Sequence, residues 1–167
     1  MLIREEVPAD IDATAELNRT AFGGDYEADL IARLRADGLV IASLVAQIRA
    51  KIVGHILFGM LPAEMDGRTI RAAALAPMAV QPELQHQGIG SKLVQEGLRA
   101  VRAWGIEAVI VLGHPAYYPR SGFSADLARR LAAPFSSEAF MALELVPGAL
   151  DGSRGSVLYP AAFGLET

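Results

Sequence analysis

The chain has 167 residues, of which 52% are hydrophobic and 20% are charged, and its formal net charge is −4. This length and composition predict one globular domain, residues 1–167, with a sizeable core. The acidic balance argues against a general nucleic-acid-binding protein, which usually carries an excess of positive charge. Cysteine is absent, which excludes disulfides, thiol nucleophiles and thiolate metal sites.

The N-terminal segment gives no sign of a targeting signal. It reads MLIREEVPADID, which lacks the basic region and apolar run of a signal peptide. The apolar runs elsewhere are too short or too interrupted to span a bilayer. We therefore expect a soluble, cytoplasmic protein that has no membrane partner.

The first forty residues predict one strand and two helices. LIREE has the pattern of a short strand, and DIDATAELNRTAF has apolar residues at helical spacing. The segment GGDYEADLIARLRADG predicts a second helix. Asp25 is placed to cap its start, and Gly38 is placed to end it.

Three strands are predicted next. LVIASLVAQIRAKIVGHILFGML contains two of them, with a hairpin turn at RAK, and EMDGRT is a clearer turn into IRAAALAPMAV. Pro77 lies inside this third strand. Because proline cannot donate a ladder hydrogen bond, we expect the strand to be disturbed just before Met78.

The second half of the chain predicts a helix from about Gly88 to Trp104 and three further strands. The strands are EAVIVLG, AFMALELVP and GSVLYPAAF, and HPAYYPRSGF is a loop with about one helical turn. The predicted buried face of the helix consists of Ile89, Leu93, Val94, Leu98, Val101 and Trp104. The order of elements indicates an α/β fold, with a mixed sheet and helices on both faces.

The stretch PELQHQGIGSKL places Gly88 and Gly90 directly before that helix. Helix N-termini bind phosphates through unpaired N–H groups, and glycine lets the backbone approach the ligand. The P-loop spacing does not fit, and the dinucleotide fingerprint would need glycine where Leu93 stands. An ordinary strand-to-helix connection with tightly packed glycines is the alternative.

The wider pattern is more specific. Gln85 to Gly90 resembles the Q/R-x-x-G-x-G/A signature of the GCN5-related N-acetyltransferase superfamily. The preceding LAPMAVQPELQ, the following AVIVLG and the element YYPRSGF also match that family, over roughly residues 40–125. The run VLGHPAYYPRSGF resembles the YhbS-like branch of the superfamily.

This resemblance implies that acetyl-CoA is a co-substrate held where the parallel strands LAPMAV and AVIVLG splay apart. Backbone groups of the strand would pair with the pantetheine arm, and backbone N–H groups of the loop and helix start would surround the pyrophosphate. The implied cofactor-binding residues are Met78, Ala79, Val80, Gln85, His86, Gln87, Gly88, Ile89, Gly90, Ser91 and Lys92. Arg99 could also reach a phosphate. For both Lys92 and Arg99 the alternative is a solvated helix face.

Tyr118 matches the family position that protonates the departing thiolate. Such general-acid catalysis is typically worth about 10²–10⁴-fold. The alternative is a tyrosine packed under the loop with its hydroxyl hydrogen-bonded. Tyr117 is interpreted as a wall residue.

The general base is less clear, because IRAAALAPMAV has no acid where better-known members carry a glutamate. Besides a water chain, the candidates are Glu27, Glu64, Asp66, His55 and His114. His114 follows the apolar strand, and histidine is a common general base. The alternative is that the loop backbone hydrogen-bonds its imidazole. We expect His55 to be a partly buried structural residue. No cluster has metal-ligand spacing.

These features favour an acetyl-CoA-dependent N-acetyltransferase that acts on a primary amine of a small molecule or peptide. The amine would attack directly in a ternary complex, since no cysteine can form an acyl-enzyme. The alternatives are a non-catalytic sensor of CoA or acyl-CoA with the same fold, and a transferase that uses another acyl group or an oxygen acceptor. A homodimer is compatible with the apolar composition, and a nucleic-acid partner is not expected.

Overall fold

The computed structural model describes residues 1–135 and 137–165. The strands are β1 Leu2–Glu5, β2 Val40–Ile48, β3 Lys51–Met65, β4 Arg68–Val80, β5 Ala108–Leu112, β6 Leu131–Ala132, β7 Phe140–Glu144 and β8 Gly155–Val157. The helices are α1 Ile11–Phe22, α2 Tyr26–Ala36, α3 Ile89–Ala103 and α4 Ala125–Ala128. Short 3₁₀ turns span Pro8–Asp10, Pro82–Leu84, Tyr118–Ser121 and Ala161–Phe163.

The eight strands form one mixed sheet. Its main order is β1-β2-β3-β4-β5-β7. Strand β8 pairs with residues Ala63–Met65 at the end of β3 and with β6. Neighbours along the main path are antiparallel except β4 and β5, which run parallel. The β3–β4 turn is made by Asp66 and Gly67, both at positive φ, and this Asp-Gly pair suits the twist of a hairpin. The predicted mixed α/β architecture is therefore confirmed.

Helices cover both faces of the sheet because the side chains of β3 alternate between them. Leu57 and Leu61 point to the side where α2 contributes Leu34. Ile56 and Phe58 point to the opposite side, where α3 contributes Leu93 and Val94. The sheet thus lies between α1 and α2 on one face and α3 on the other.

Helix α3 lies unusually close to the sheet. A Cβ atom added at Gly97 would stand 2.8 Å from Cζ of Phe58, and one added at Gly54 would stand 2.9 Å from Cδ1 of Leu93. Because real Cβ contacts are longer than this, both glycines are needed for the close approach. These contacts set the distance between α3 and β3, the strand next to β4.

The sequence predictions need correction at three places. Trp104 lies just beyond the end of α3 and is 70% exposed, because the chain turns at Gly105 and buries Ile106 instead. Between residues 125 and 132, the short helix α4 and the short strand β6 were not predicted. The segment GSVLYPAAF forms strand only at Gly155–Val157 and then turns into a 3₁₀ helix. Within residues 1–135 and 137–165, no helix has the length and apolar character needed to cross a membrane.

Candidate functional site

Strands β4 and β5 separate next to Pro77. Their parallel pairing ends at Leu75 and Val111, whereas β4 continues to Val80 with β3 as its partner. The pairing of β4 with β3 shifts register at the same level, between Ile56 and Phe58. The disturbance predicted from Pro77 is therefore confirmed. It leaves the β5-facing edge of β4 unpaired over Met78–Val80, where an extended ligand could add as a strand.

The start of α3 lies directly after this free edge. Gly88 occupies the N-cap position with φ 88°, and His86 also has positive φ. Among residues 1–135 and 137–165, no hydrogen-bond partner is recorded for the backbone N–H groups of residues 86–91. No acidic residue stands in the first turn of the helix. The partial positive charge of the helix start is therefore free to attract an anion.

The two glycines of this helix start have different surroundings. A Cβ added at Gly88 would meet no described residue, in 1–135 or 137–165, within 4 Å, so glycine serves there mainly for its left-handed backbone. A Cβ added at Gly90 would stand 2.9 Å from the Tyr117 hydroxyl oxygen and 3.3 Å from Cε of Met78. The space at Gly90 is thus used by two of the protein's own side chains. In the loop before them, Nε2 of Gln85 donates to the Val80 carbonyl at 3.1 Å.

Tyr118 is a buried side chain at the β5 end of the cleft and is only 7% exposed. Its ring packs edge-on against Phe123 at 5.6 Å and lies over Gly113, where an added Cβ would stand 2.9 Å from Cδ2 of Tyr118. Burial, together with the neighbouring Tyr117, raises the pKa of Tyr118 to about 12. The phenol therefore keeps its proton at neutral pH, as a proton donor must.

Tyr117 connects these two parts of the cleft. Its hydroxyl lies 3.2 Å from Oγ of Ser91 in the first turn of α3. Its ring packs edge-on against Tyr118, with the centroids 5.1 Å apart. The structure therefore brings the predicted anion site and the predicted proton donor together, with Tyr117 between them. This role of Tyr117 was not predicted, because the contact with Ser91 spans 26 residues.

Two of the candidate bases lie far from the cleft. Glu64 pairs with Thr69, nine residues before Met78 along β4, which corresponds to about 30 Å of strand. Asp66 lies beyond it in the hairpin turn, where its carboxylate accepts hydrogen bonds from the backbone N–H groups of Ser153 and Arg154. Both residues are therefore excluded as bases for chemistry at the cleft.

His55 is also unsuited to act as a base, because it is fully buried in a polar cluster under α1. Oγ of Ser43 lies 2.9 Å from the Glu6 carboxylate and 2.8 Å from Nε2 of His55. Nδ1 of His55 lies 3.2 Å from Nδ2 of Asn18. Arg35 also donates to Glu6.

The chemistry of these groups fixes the direction of the hydrogen bonds. A carboxylate only accepts, so Ser43 donates to Glu6 and accepts from Nε2–H of His55. Nδ1 of His55 then accepts from Asn18. Burial, with a contribution from Arg35, lowers the pKa of His55 to about 4, so this imidazole is neutral at pH 7. His55 was expected to be partly buried, and its complete burial is the correction.

His114 and Glu27 are the remaining side-chain candidates for the base. His114 is exposed just after β5, and its carbonyl accepts from the backbone N–H groups of Tyr117 and Tyr118 at 3.0 and 3.3 Å. Glu27 is half-buried in the first turn of α2. The described residues, 1–135 and 137–165, contain no group of three His, Asp or Glu side chains that could hold a metal ion.

Lys92 and Arg99, the two basic residues of α3 predicted to reach phosphates, differ in their surroundings. Arg99 forms a surface ion pair with Glu96 at 3.1 Å, as expected for a solvated helix face. Lys92 lies in the first turns, next to Gln95 and the N-terminal Met1. Of the two, Lys92 is nearer to the helix start.

The cleft combines two features: the unpaired edge of the bulged strand β4 and the anion-attracting start of α3. Together they suit an extended ligand that carries phosphate and lies between the separated strands. Residues 11–123 match the model of the acetyltransferase (GNAT) family. The chain is 36% identical over 166 residues to the uncharacterized N-acetyltransferase YhbS of Escherichia coli K12, covering 98% of each protein. It is 42% identical over 119 residues to the uncharacterized N-acetyltransferase YjhQ of the same strain, covering 69% of this chain and 65% of YjhQ.

Solved structures give the same result. The structure of E. coli YhbS in complex with CoA has a TM-score of 0.88 and 35% identity, covering 98% of this chain and 92% of that one. A GNAT family acetyltransferase from Brucella melitensis in complex with acetyl-CoA has a TM-score of 0.78 and 32% identity, covering 97% of both. The chain belongs to the GNAT family of acetyltransferases. The family and the enzyme class predicted from the sequence are thereby confirmed.

Proposed function

We propose that residues 1–167 form one acetyltransferase domain that transfers the acetyl group of acetyl-CoA directly to a primary amine of a small molecule or peptide. Family membership supports acetyl transfer. The complexes of the two solved relatives with CoA and acetyl-CoA support the co-substrate. The proposal is supported above all by Tyr117, which contacts both the buried Tyr118 and Ser91 in the first turn of α3.

In this proposal the helix start holds the coenzyme. The free N–H groups between His86 and Ser91 bind the pyrophosphate, with Lys92 adding positive charge. The pantetheine arm runs along the unpaired edge of β4 at Met78, Ala79 and Val80. Gln85 contributes by holding the loop, since its amide is bonded to the Val80 carbonyl. The thioester then lies near the point where β4 and β5 separate.

The reaction requires two proton movements. The neutral amine nitrogen attacks the thioester carbonyl carbon and forms the C–N bond, and the C–S bond then breaks. The departing thiolate takes a proton from the Tyr118 hydroxyl, which is protonated at neutral pH because burial raises its pKa to about 12. The amine loses its surplus proton to His114, to Glu27 or to water. Tyr118 recovers a proton from solvent before the next turnover.

This function is tested by measuring thiol release from acetyl-CoA with a panel of primary amines, with the amine omitted as the control. Thiol release that depends on an amine supports the proposal. Direct transfer predicts intersecting double-reciprocal plots when both substrates are varied. Parallel plots, or acetylated protein in the absence of an amine, would contradict direct transfer, and coenzyme binding without turnover across the panel would contradict acetyl transfer to an amine.

A further inference from the structure

Tyr118 and Phe123 pack in the same buried cluster as Ile89 and Leu93 of α3, but within residues 1–135 and 137–165 one hydrogen bond joins the segment 113–123 to α3. The β4–β5 ladder ends at Leu75 and Val111. Beyond it, the segment 113–123 leaves the sheet and folds on itself, with the Tyr117 and Tyr118 N–H groups bonded to the His114 carbonyl. These local bonds shape the loop, but they do not set its distance from the coenzyme-binding side.

Tyr117 makes that connection through its hydroxyl. Its oxygen lies 3.2 Å from Oγ of Ser91, in the first turn of α3. The approach is possible because residue 90 is glycine, since an added Cβ would stand only 2.9 Å from the same oxygen. The Tyr117 side chain therefore reaches across the cleft to the helix that begins the anion site.

The ring of Tyr117 is held at its other end by the loop itself. Tyr118 packs edge-on against it, and the Arg120 guanidinium lies 6.0 Å from the ring centroid, within the range of a cation–π contact. Because Tyr118 packs edge-on against this ring as well as against Phe123, the position of Tyr117 limits where the Tyr118 ring can lie. Because proton donation requires an approach of about 3 Å, small displacements of the donor strongly reduce the rate.

We propose that Tyr117 is a positioning residue, whose hydrogen bond to Ser91 across Gly90 sets the distance between Tyr118 and the coenzyme held at the start of α3. This proposal rests on the function proposed above. It gives Gly90 a second purpose, which is to admit the Tyr117 hydroxyl. It also predicts that Tyr117 acts on the chemical step more than on coenzyme affinity.

The test compares Tyr117→Phe, Ser91→Ala and the double variant with the wild type. Each single variant should lower kcat by about tenfold, the scale of one lost positioning hydrogen bond. The Kd for acetyl-CoA in calorimetry should stay within about twofold. The double variant should be no slower than the slower single variant, because both changes remove the same bond. Tyr26→Phe is the matched control, since its hydroxyl binds the Phe163 carbonyl elsewhere.

Hydrogen exchange gives a readout that does not depend on turnover. Amides in segment 113–123 should exchange faster in Tyr117→Phe than in the wild type and in Tyr26→Phe. Unchanged exchange in Tyr117→Phe would overturn the proposal, and an unchanged kcat would overturn it too. So would a weaker Kd with full kcat, which would make Tyr117 a coenzyme ligand instead. Absence of thiol release by the wild type would refute the proposed function, whereas unchanged exchange would refute the Tyr117 connection alone.

Discussion

Replacing Gly88 with alanine separates the backbone role of this glycine from its role in binding. Gly88 has φ 88°, and an added Cβ would meet none of the described residues within 4 Å. The substitution therefore introduces backbone strain without a clash. A left-handed conformation costs an L-residue about 1–2 kcal/mol, so the melting temperature of a chain of this size should fall by roughly 2–8 °C.

The chain provides a matched control for this experiment. Gly67 has φ 77° and equally open surroundings, but it lies in the β3–β4 turn at the opposite end of β4 from Val80, roughly 40 Å away along the strand. Gly67→Ala should therefore lower the melting temperature by a similar amount. Its affinity for acetyl-CoA should remain that of the wild type.

Only Gly88→Ala should weaken coenzyme binding. Relaxation of the strained residue turns the neighbouring N–H groups away from the pyrophosphate. Loss of one hydrogen bond to a charged group costs about 1.5–3 kcal/mol, which corresponds to a Kd roughly 10-fold to 150-fold higher. Calorimetric titration of both variants with acetyl-CoA measures this. If Gly88→Ala loses stability but binds acetyl-CoA as tightly as Gly67→Ala, the assignment of the anion site is wrong.

Two further predictions concern stability. The unfolded chain takes up a proton on His55 below about pH 6.5, whereas the folded protein does so only near pH 4. About 3 kcal/mol of stability should therefore be lost as the pH falls between these values. Urea unfolding should show this loss in the wild type and in His86→Gln, a control at an exposed histidine. The loss should be absent in His55→Gln. An equal loss in His55→Gln would contradict the assignment of this pH dependence to His55. Gly97→Ala should destabilise the protein by roughly 1–2 kcal/mol, since crowding against Phe58 exceeds the gain in helix propensity. Phe58→Leu in the same chain should reduce that loss, and a Gly97→Ala variant as stable as the wild type would contradict the contact.

The strands, the helix start and the tyrosine around the site could be predicted from the sequence, because the signals for them are local. Pro77 indicated a disturbed strand before Met78, and the register shift lies there. The glycines before the helix, the apolar β5 and the spacing of Tyr118 identified the family, which the comparisons confirm. Each of these signals depends on neighbouring residues or on a short spacing.

The connections between distant elements could not be predicted in this way. The Tyr117–Ser91 contact joins a loop to a helix and exists only because Gly90 lies between them in space. The cluster around His55 draws side chains from α1, α2, β2, β3 and the residue after β1, and no sequence spacing reveals such an assembly. Trp104 was wrongly assigned to the buried face of α3, because the chain turns at Gly105 and Ile106 is buried instead.

The most direct test of the central claim is the effect of Tyr118→Phe on transfer to an amine identified in the panel. The variant keeps the ring packing against Phe123 and loses only the hydroxyl. We predict that kcat falls by about 10²–10⁴-fold, as expected for loss of a general acid, while the Kd for acetyl-CoA and the melting temperature stay close to the wild-type values. A fully active Tyr118→Phe variant would contradict the role of Tyr118 as the proton donor.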